Sequence, residues 1–315
     1  MSTILVSGSP AYDRIMDFDG LFRDHILPEK IHGLSVSFTV KRVTENFGGT
    51  GGNVAYNLAL LGQSAALLSW VGDDFEPYRE WLKKHGVSCD YLRVLQEERT
   101  ASAYVMTDKE NNQIAAFHHG AAARIYDGEF PQGARAAIIA PSHPADMVMF
   151  AKKYKEIGTP YYLDAGQQII RFTAEDLREC IDGAAAVFAN DYESMLLQER
   201  AGWSESDIAQ RVGAYVITLG AEGARIVTGE GEKRVDGVQS RSVVDPTGAG
   251  DAHRAGFVAA HLAGASPEKA VQVASAVAVY AIEAYGTQNH SFTLDALGER
   301  YTSAYGEPMP ALQQV

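Results

Sequence analysis

The sequence predicts a doubly wound α/β fold, a mostly parallel sheet covered by helices on both faces, with a small antiparallel β lid beside it. Three features carry this reading. Short apolar runs alternate with helical stretches along most of the 315 residues. The runs are continuous, as expected of strands buried on both faces. Two further stretches break the rhythm with a period of two, the pattern of half-exposed antiparallel strands.

Taken in order, Ile4-Leu5-Val6 reads as a buried strand that runs into the turn Gly8-Ser9-Pro10. A helix is expected over Gly52–Leu61, stopped by Gly62, followed by a strand over Ala65–Val71 and a helix over Tyr78–Lys84 that ends at Gly86. The rhythm returns with strands at Ala136–Ala140, Tyr161–Asp164, Ala186–Ala189 and Tyr215–Leu219. Right-handed crossovers between them place ligands at the carboxyl ends of the strands. The first period-two stretch has Leu34, Val36, Phe38 and Val40 alternating with Ser35, Ser37, Thr39 and Lys41. The second pairs Ala101–Met106 with Ile114–Phe117 around Glu110-Asn111-Asn112. Both are read as an accessory sheet, with extension of the main sheet's edge as the alternative. Residues after Pro308 are expected to form a loose tail.

Composition narrows the partners. At 46% hydrophobic and 21% charged residues, the chain supports a packed core and not disorder. Lys plus Arg number 27 against 40 Asp plus Glu, a formal charge of −13, so neither nucleic acid nor an anionic membrane surface is an expected partner. Cys89 and Cys180 lie far apart and form no Cys-x-x-Cys motif, which suits a reducing, cytoplasmic setting. The N-terminus lacks a basic leader. The most apolar stretch, Ala270–Ile282, is interrupted by Gln272 and Ser275 and is too short to span a bilayer, so neither secretion nor insertion is expected.

The strongest chemical signal is Asp245-Pro246-Thr247-Gly248-Ala249-Gly250-Asp251-Ala252, followed by an apolar helical run. Pro246 and the glycines force an irregular loop, and the N–H groups of Gly248, Ala249 and Gly250 converge at a helix start, where anions bind. Asp251, in the first turn, is placed to accept a proton from an attacking hydroxyl. A second cluster, Gly48-Gly49-Thr50-Gly51-Gly52-Asn53, suits a hinge that admits close backbone approach, and Asn53 can bond a polyol. It is also compatible with a flexible turn before a helix. Asp13 can bind two neighbouring hydroxyls or shape a turn. Asn190 and Glu193 can face Mg²⁺ through waters, yet Asn-x-x-Glu is equally the spacing of a capping box. Thr218, Gly220 and Gly223 follow a strand, where a nucleotide can lie. No P-loop, dinucleotide fingerprint, Gly-x-Ser-x-Gly elbow or His-Glu-x-x-His helix is present.

Together these strings resemble the ribokinase-like, phosphofructokinase-B (PfkB) family of carbohydrate kinases over nearly the whole chain. The resemblance implies one kinase domain over residues 1–315, with lid strands from about 12–47 and 99–120. It implies Asp251 as catalytic base and Gly248, Ala249 and Gly250 as an anion hole. Asn190, Thr218, Gly220 and Gly223 would bind ATP, Glu193 would support Mg²⁺ through water, and Asp13, Gly49 and Asn53 would hold sugar hydroxyls. Some relatives also use a monovalent cation such as K⁺, here near Asp245 and Thr247. The strings Asn111–Ala121, Asn190–Glu193 and Tyr285-Gly286-Thr287-Gln288 are similar to the adenosine kinase and prokaryotic nucleoside kinase branch. On that basis Gln113 is expected to reach the substrate from the lid and Phe117 to offer an apolar surface to the base, with packing within the lid as the alternative for both. His253 stands where relatives usually carry Phe or Tyr, and Ala165 where this branch often has Pro.

The expected function is ATP-dependent phosphorylation of a ribonucleoside 5′-hydroxyl, adenosine first. The alternatives are a free-sugar kinase of the same family and a non-catalytic nucleotide sensor on the same fold. The expected partners are small molecules, and the chain is expected to be a monomer or a homodimer formed through the lid.

Overall fold

Ile4-Leu5-Val6 and its counterparts are apolar at every position because each strand is sandwiched between helices, and alternate side chains enter opposite cores. The computed structural model describes residues 3–26, 32, 35–110 and 112–312. The first strands are β1 (Ile4–Ser7), β2 (Ala11–Phe18), β3 (Val40–Gly48), β4 (Ala65–Gly72), β5 (Val87–Ser88), β6 (Leu92–Leu95) and β7 (Ala101–Thr107). They are followed by β8 (Gln113–His118), β9 (Ala136–Ile139), β10 (Tyr161–Asp164), β11 (Ala186–Asn190), β12 (Tyr215–Thr218), β13 (Ala224–Thr228) and β14 (Gly231–Val235). The helices are α1 (Thr50–Leu60), α2 (Glu76–Lys84), α3 (Pro144–Glu156), α4 (Ala174–Ile181) and α5 (Asp191–Ala201). After these come α6 (Glu205–Ala209), α7 (Ala249–Leu262), α8 (Pro267–Ile282) and α9 (Leu294–Tyr305).

Ten strands make the main sheet, in the order β14-β13-β12-β11-β10-β9-β1-β4-β5, with β6 also on β4. Pairing is parallel from β12 to β5 and antiparallel only at β13 and β14. Ile4 and Val6 enter one core with Val54 and Leu58 of α1, Phe257 of α7 and Val273 of α8. Leu5 enters the other with Phe150 of α3, Leu177 of α4 and Leu197 of α5. Strand order reverses at β1, whose successor β4 lies on one side and whose later neighbour β9 lies on the other. A doubly wound sheet opens its ligand crevice at such a point. Among the described residues no helix is long and apolar enough to cross a membrane.

A separate four-stranded sheet runs β3-β2-β7-β8, so the edge-extension alternative falls away. Its two outer pairs are antiparallel and the central β2–β7 pair is parallel. The first period-two stretch is corrected. Leu34 lies outside the described residues, 35–39 have no regular structure, and the strand begins at Val40 and ends at Gly48. Phe38 instead packs edge-on against Phe18 and Phe22, with ring centroids at 4.9 and 5.4 Å. Its apolar neighbours therefore do not mark a sheet face. In β3 itself Lys41, Arg42, Thr44, Glu45 and Asn46 put polar groups on both faces, which erases the alternation. Asn111, expected in the β7–β8 turn, also lies outside the described residues. The tail expectation is corrected too, since Met309 and Leu312 pack on the core of α7 and α8.

Glycines let α1 approach the crevice. A Cβ on Gly51 would collide with the Gly8 backbone after β1, and one on Gly52 would collide with the Tyr78 hydroxyl of α2. The start of α1 is thereby pressed onto the carboxyl end of β1. Gly51→Ala should cost about 1–3 kcal/mol, because the obstacle is backbone that cannot rotate away, and thermal melting should show Tm several degrees lower; an unchanged Tm would contradict this packing.

Candidate active site

The crevice is built from two helix starts. At α7, Asp245 holds the preceding loop, its Oδ1 accepting the Thr247 N–H at 3.0 Å and its Oδ2 accepting the Gly286 N–H at 3.1 Å. Gly248 caps the helix at φ 80°, a conformation that side-chain-bearing residues rarely adopt, and a Cβ there would press on Thr287 at 3.0 Å. The Ala249 N–H turns back to the Pro246 carbonyl at 3.3 Å. The Gly250 N–H, also in the first turn, has no intrahelical acceptor, so the positive end of the α7 dipole faces the crevice.

Asp251, in that first turn, is buried, and its Oδ2 accepts a 2.8 Å hydrogen bond from Asn53 Nδ2 on α1. Burial pushes its carboxyl up to about 6, against the opposing pull of Arg254 and the Asn53 hydrogen bond, while the nearby charge of Asp13 pushes the same way as burial. Asn53 is fixed in turn. Its Oδ1 accepts from Gln288 Nε2 at 3.0 Å, and Gln288 Oε1 accepts from Trp81 Nε1 at 3.1 Å. Gln288 Nε2 also bonds the Tyr78 hydroxyl, which donates to the Gly48 carbonyl at 2.8 Å. Asn53, read from the sequence as a polyol contact, thus spends one amide hydrogen and its carbonyl on orienting Asp251.

Asp13 lies within β2 and not in a turn. Gly48 on β3, paired with Ala11 two residues before Asp13, has no room for a side chain because the Asp13 carboxylate fills the space. Burial, with the neighbouring charge of Asp245, pushes the Asp13 carboxyl up to about 6. Gly49 caps α1 at φ 80°, with the Ser9 carbonyl and Ala11 N–H against its Cα. Asn46, Asp13, Ala103 and Phe117 form one cross-strand row of the small sheet, so their side chains share the face turned to Asp251. Phe117 is half exposed in that row. Gln113 stands on the same face of β8 but four residues away, about 13 Å further along the strand.

Thr218, Gly220 and Gly223 line a cavity of about 520 Å³ that reaches Pro246, Ala249 and Gly250. Asn190 pairs with Thr218 across β11 and β12 but does not line this cavity. The structure forms the capping box at the start of α5. Asn190 Oδ1 accepts the Glu193 N–H at 2.8 Å, and Glu193 Oε2 accepts the Asn190 N–H at 2.9 Å. Among the described residues no group of three or more His, Cys, Asp or Glu side chains is arranged to hold a metal ion.

Sequence reasoning missed Arg254. Its buried guanidinium pairs with buried Asp164 at the end of β10 and lies 4.0 Å from Glu193. At i+4 from Gly250 it folds back over that residue, where a Cβ would strike its Nη1. The signal was present, as Arg254 is a cation within the apolar run Ala252–Ala260. Thr44 Oγ1 and Asn46 Nδ2, on the Asp13 face of β3, are buried atoms without hydrogen-bond partners among the described residues. The polar periodicity of β3 gave no hint of them.

A doubly wound sheet whose glycine-led helix start carries a buried, hydrogen-bonded aspartate, faced by a small separate sheet, defines the ribokinase-like class of kinases. The chain belongs to the pfkB family of carbohydrate kinases, which it matches over residues 12–294. It is therefore a phosphotransferase with an alcohol acceptor. It is 32% identical to a nucleoside kinase of Methanothermobacter thermautotrophicus over 98% of both chains. The Burkholderia thailandensis nucleoside kinase in complex with inosine superposes with a TM-score of 0.85 at 35% identity, covering 98% of this chain and 100% of that one. The same enzyme in complex with ADP-inosine gives 0.83 at 36% identity, covering 99% and 98%.

Removing one member of a buried ion pair strands the other. Asp164→Ala should destabilise the protein by about 3–5 kcal/mol, read as a lower urea midpoint; a change below about 1 kcal/mol would show that water, not Asp164, solvates Arg254.

Proposed function

We propose that this chain transfers the γ-phosphoryl group of ATP to the 5′-hydroxyl of a purine ribonucleoside, with adenosine the first substrate to test and inosine the second. The observation that carries the reading is the Asn53–Asp251 hydrogen bond at 2.8 Å, which fixes a buried carboxylate beside a helix start. Nucleoside as acceptor rests on the nucleoside kinases to which the chain is similar, one of them with inosine bound. ATP as donor is supported by the ADP-inosine complex of that enzyme.

In this reading Asp251 takes the proton of the 5′-hydroxyl as the oxygen attacks the γ-phosphorus in line, and the β–γ bridging oxygen leaves with ADP. With its carboxyl at about 6, Asp251 is ionised at neutral pH yet still basic. The open amide of Gly250, supported by Gly248 and Ala249, faces the charge that develops on the phosphoryl group. Asp13 holds ribose hydroxyls, and Phe117 in the same row meets the base, while Gln113, further along β8, reaches its outer edge. Thr218, Gly220 and Gly223 line the donor's cavity. The small sheet acts as a lid of a single kinase domain and excludes water.

Mg²⁺ carried on the ATP phosphates supplies neutralisation of their charge. Such an ion takes one or two carboxylates and keeps its waters, which the residues present can satisfy without a cage. Glu193, whose capping bond uses one oxygen, and Asn190 are the groups to hold it through water. A K⁺ requirement near Asp245 would be read by comparing turnover in potassium and choline salts.

The test is ADP formation with adenosine, inosine, guanosine, cytidine, ribose and fructose. Asp251→Asn should lose about 10²- to 10⁴-fold in turnover while nucleoside binding by calorimetry persists; near-normal turnover would sink the assignment, and activity with sugars alone would move the acceptor to a free sugar. In the wild type kcat/KM should fall by about tenfold to a hundredfold per pH unit below roughly pH 6, the slope for one or both of the Asp251 and Asp13 carboxylates being required ionised. Asn53→Ala removes a bond that favours the ionised form, so this acid limb should move to higher pH. An acid limb that stays put would show that another group sets it.

A further inference from the structure

Three hydrogen bonds run in one direction from α2 to Asp251. Trp81 Nε1 donates to Gln288 Oε1 at 3.1 Å, Gln288 Nε2 to Asn53 Oδ1 at 3.0 Å, and Asn53 Nδ2 to Asp251 Oδ2 at 2.8 Å. Both amides are buried, so a group turned the wrong way is left without a partner.

A side-chain amide is nearly symmetric in shape and can present either its oxygen or its N–H groups to a neighbour. An ionised Asp251 accepts only, and takes an N–H from Asn53. Once protonated, it can equally donate to the Asn53 oxygen if that amide turns over, and the turn favours the protonated form. The relay blocks the turn. A reversed Asn53 sets its N–H groups against those of Gln288, and a Gln288 that reverses with it meets the indole N–H of Trp81. The indole is a donor only. The Tyr78 hydroxyl, the other partner of Gln288 Nε2, can donate or accept and so imposes no direction. The Trp81 ring is itself held between His85 and Phe47, with centroids at 4.2 and 5.7 Å.

We propose that Trp81 is a positioning residue that, through Gln288, keeps the N–H of Asn53 on Asp251 Oδ2 throughout the reaction, so that the catalytic proton is taken up on Oδ1. This rests on Asp251 being the base, as set out above. The acceptor O–H bond breaks as its oxygen bonds phosphorus, the proton goes to Oδ1, and the electron pair of the broken bond to the bridging oxygen leaves with ADP. Trp81 touches no reacting atom.

The experiment measures kcat/KM for the nucleoside against pH in the wild type, Trp81→Phe, Gln288→Met and the double variant. Trp70→Phe is the control, because it too loses one indole bond, to the Ile125 carbonyl at 3.1 Å. The charged groups that face Asp251 are Asp13 of β2, Asp164 of β10, Glu193 of α5 and Arg254 of α7, and every variant keeps them. Trp81→Phe should move the acid limb about 0.3 to 1 unit to higher pH, the worth of one hydrogen bond. Activity below the limb then falls about 2- to 10-fold, while at pH 8 it stays within about twofold. Gln288→Met should move the limb the same way, and the double variant should move it no further, since the indole then has no amide to direct. Trp70→Phe should lower Tm and leave the limb in place. A Trp81→Phe limb that stays put, a loss equal at every pH, or shifts that add in the double variant would each overturn the proposal. Should Trp81→Phe fold poorly, an unmoved limb in Gln288→Met overturns it as well. Near-normal turnover of Asp251→Asn removes the base and the proposal with it, whereas an inactive Asp251→Asn beside an unshifted Trp81→Phe sinks the relay alone.

Discussion

The site depends on one hydrogen bond between two helices that share no local sequence. Asn53 opens α1 and Asp251 opens α7, and their 2.8 Å contact joins residues 198 apart in the chain. Both helices reach the reversal of strand order beside β1, where parallel strands end and backbone groups are free. Glycines at 49, 51 and 52 bring α1 close enough for a short amide side chain to span the gap. A wider residue at 51 or 52 would hold Asn53 back from Asp251.

Electrostatics sets the second constraint. Asp13, Asp164, Glu193 and Asp251 converge where phosphates are proposed to sit, with Arg254 as the buried cation among them. Burial pushes both the Asp13 and Asp251 carboxyls up, the charge of Asp245 adding to the first and that of Asp13 to the second. Arg254 pairs with Asp164, whose carboxyl burial still pushes up to about 7, and leaves Asp251 only partly compensated. The helix dipole of α7 adds fixed positive potential without a side chain that could neutralise the Asp251 carboxylate. A chain of formal charge −13 thereby keeps a local positive potential at the start of α7.

The main sheet was legible because a strand buried on both faces has nowhere to place a polar residue, and Ile4–Val6 and Ala136–Ala140 read cleanly. The eight-residue string at Asp245 was legible for a similar reason, since few backbones need Pro and two glycines just before an acidic helix start. The small sheet was harder. One face of β3 meets solvent and the other meets the site, so its residues are polar on both sides, and the apolar residues near Phe38 went into an aromatic cluster instead. Asn190-x-x-Glu193 stayed ambiguous because capping and cation binding ask for the same residues at the same spacing. Geometry resolved the capping box, and nothing in a linear string could say that Asn53's amide was already committed to Gln288.

That commitment ties the site to the far end of the chain. Gln288 holds Asn53 from 235 residues away, and Thr287 closes on Phe47 from 240. Contacts of such long range form late in folding, after the loop entropy of most of the chain has been overcome. A growing or partly folded chain can therefore build the parallel sheet and expose the glycine turn while Asp251 remains unaligned. Alignment of Asp251 and completion of the fold become a single event, so an unfinished molecule holds the outline of the cavity between Thr218 and Gly250 without the carboxylate set beside it.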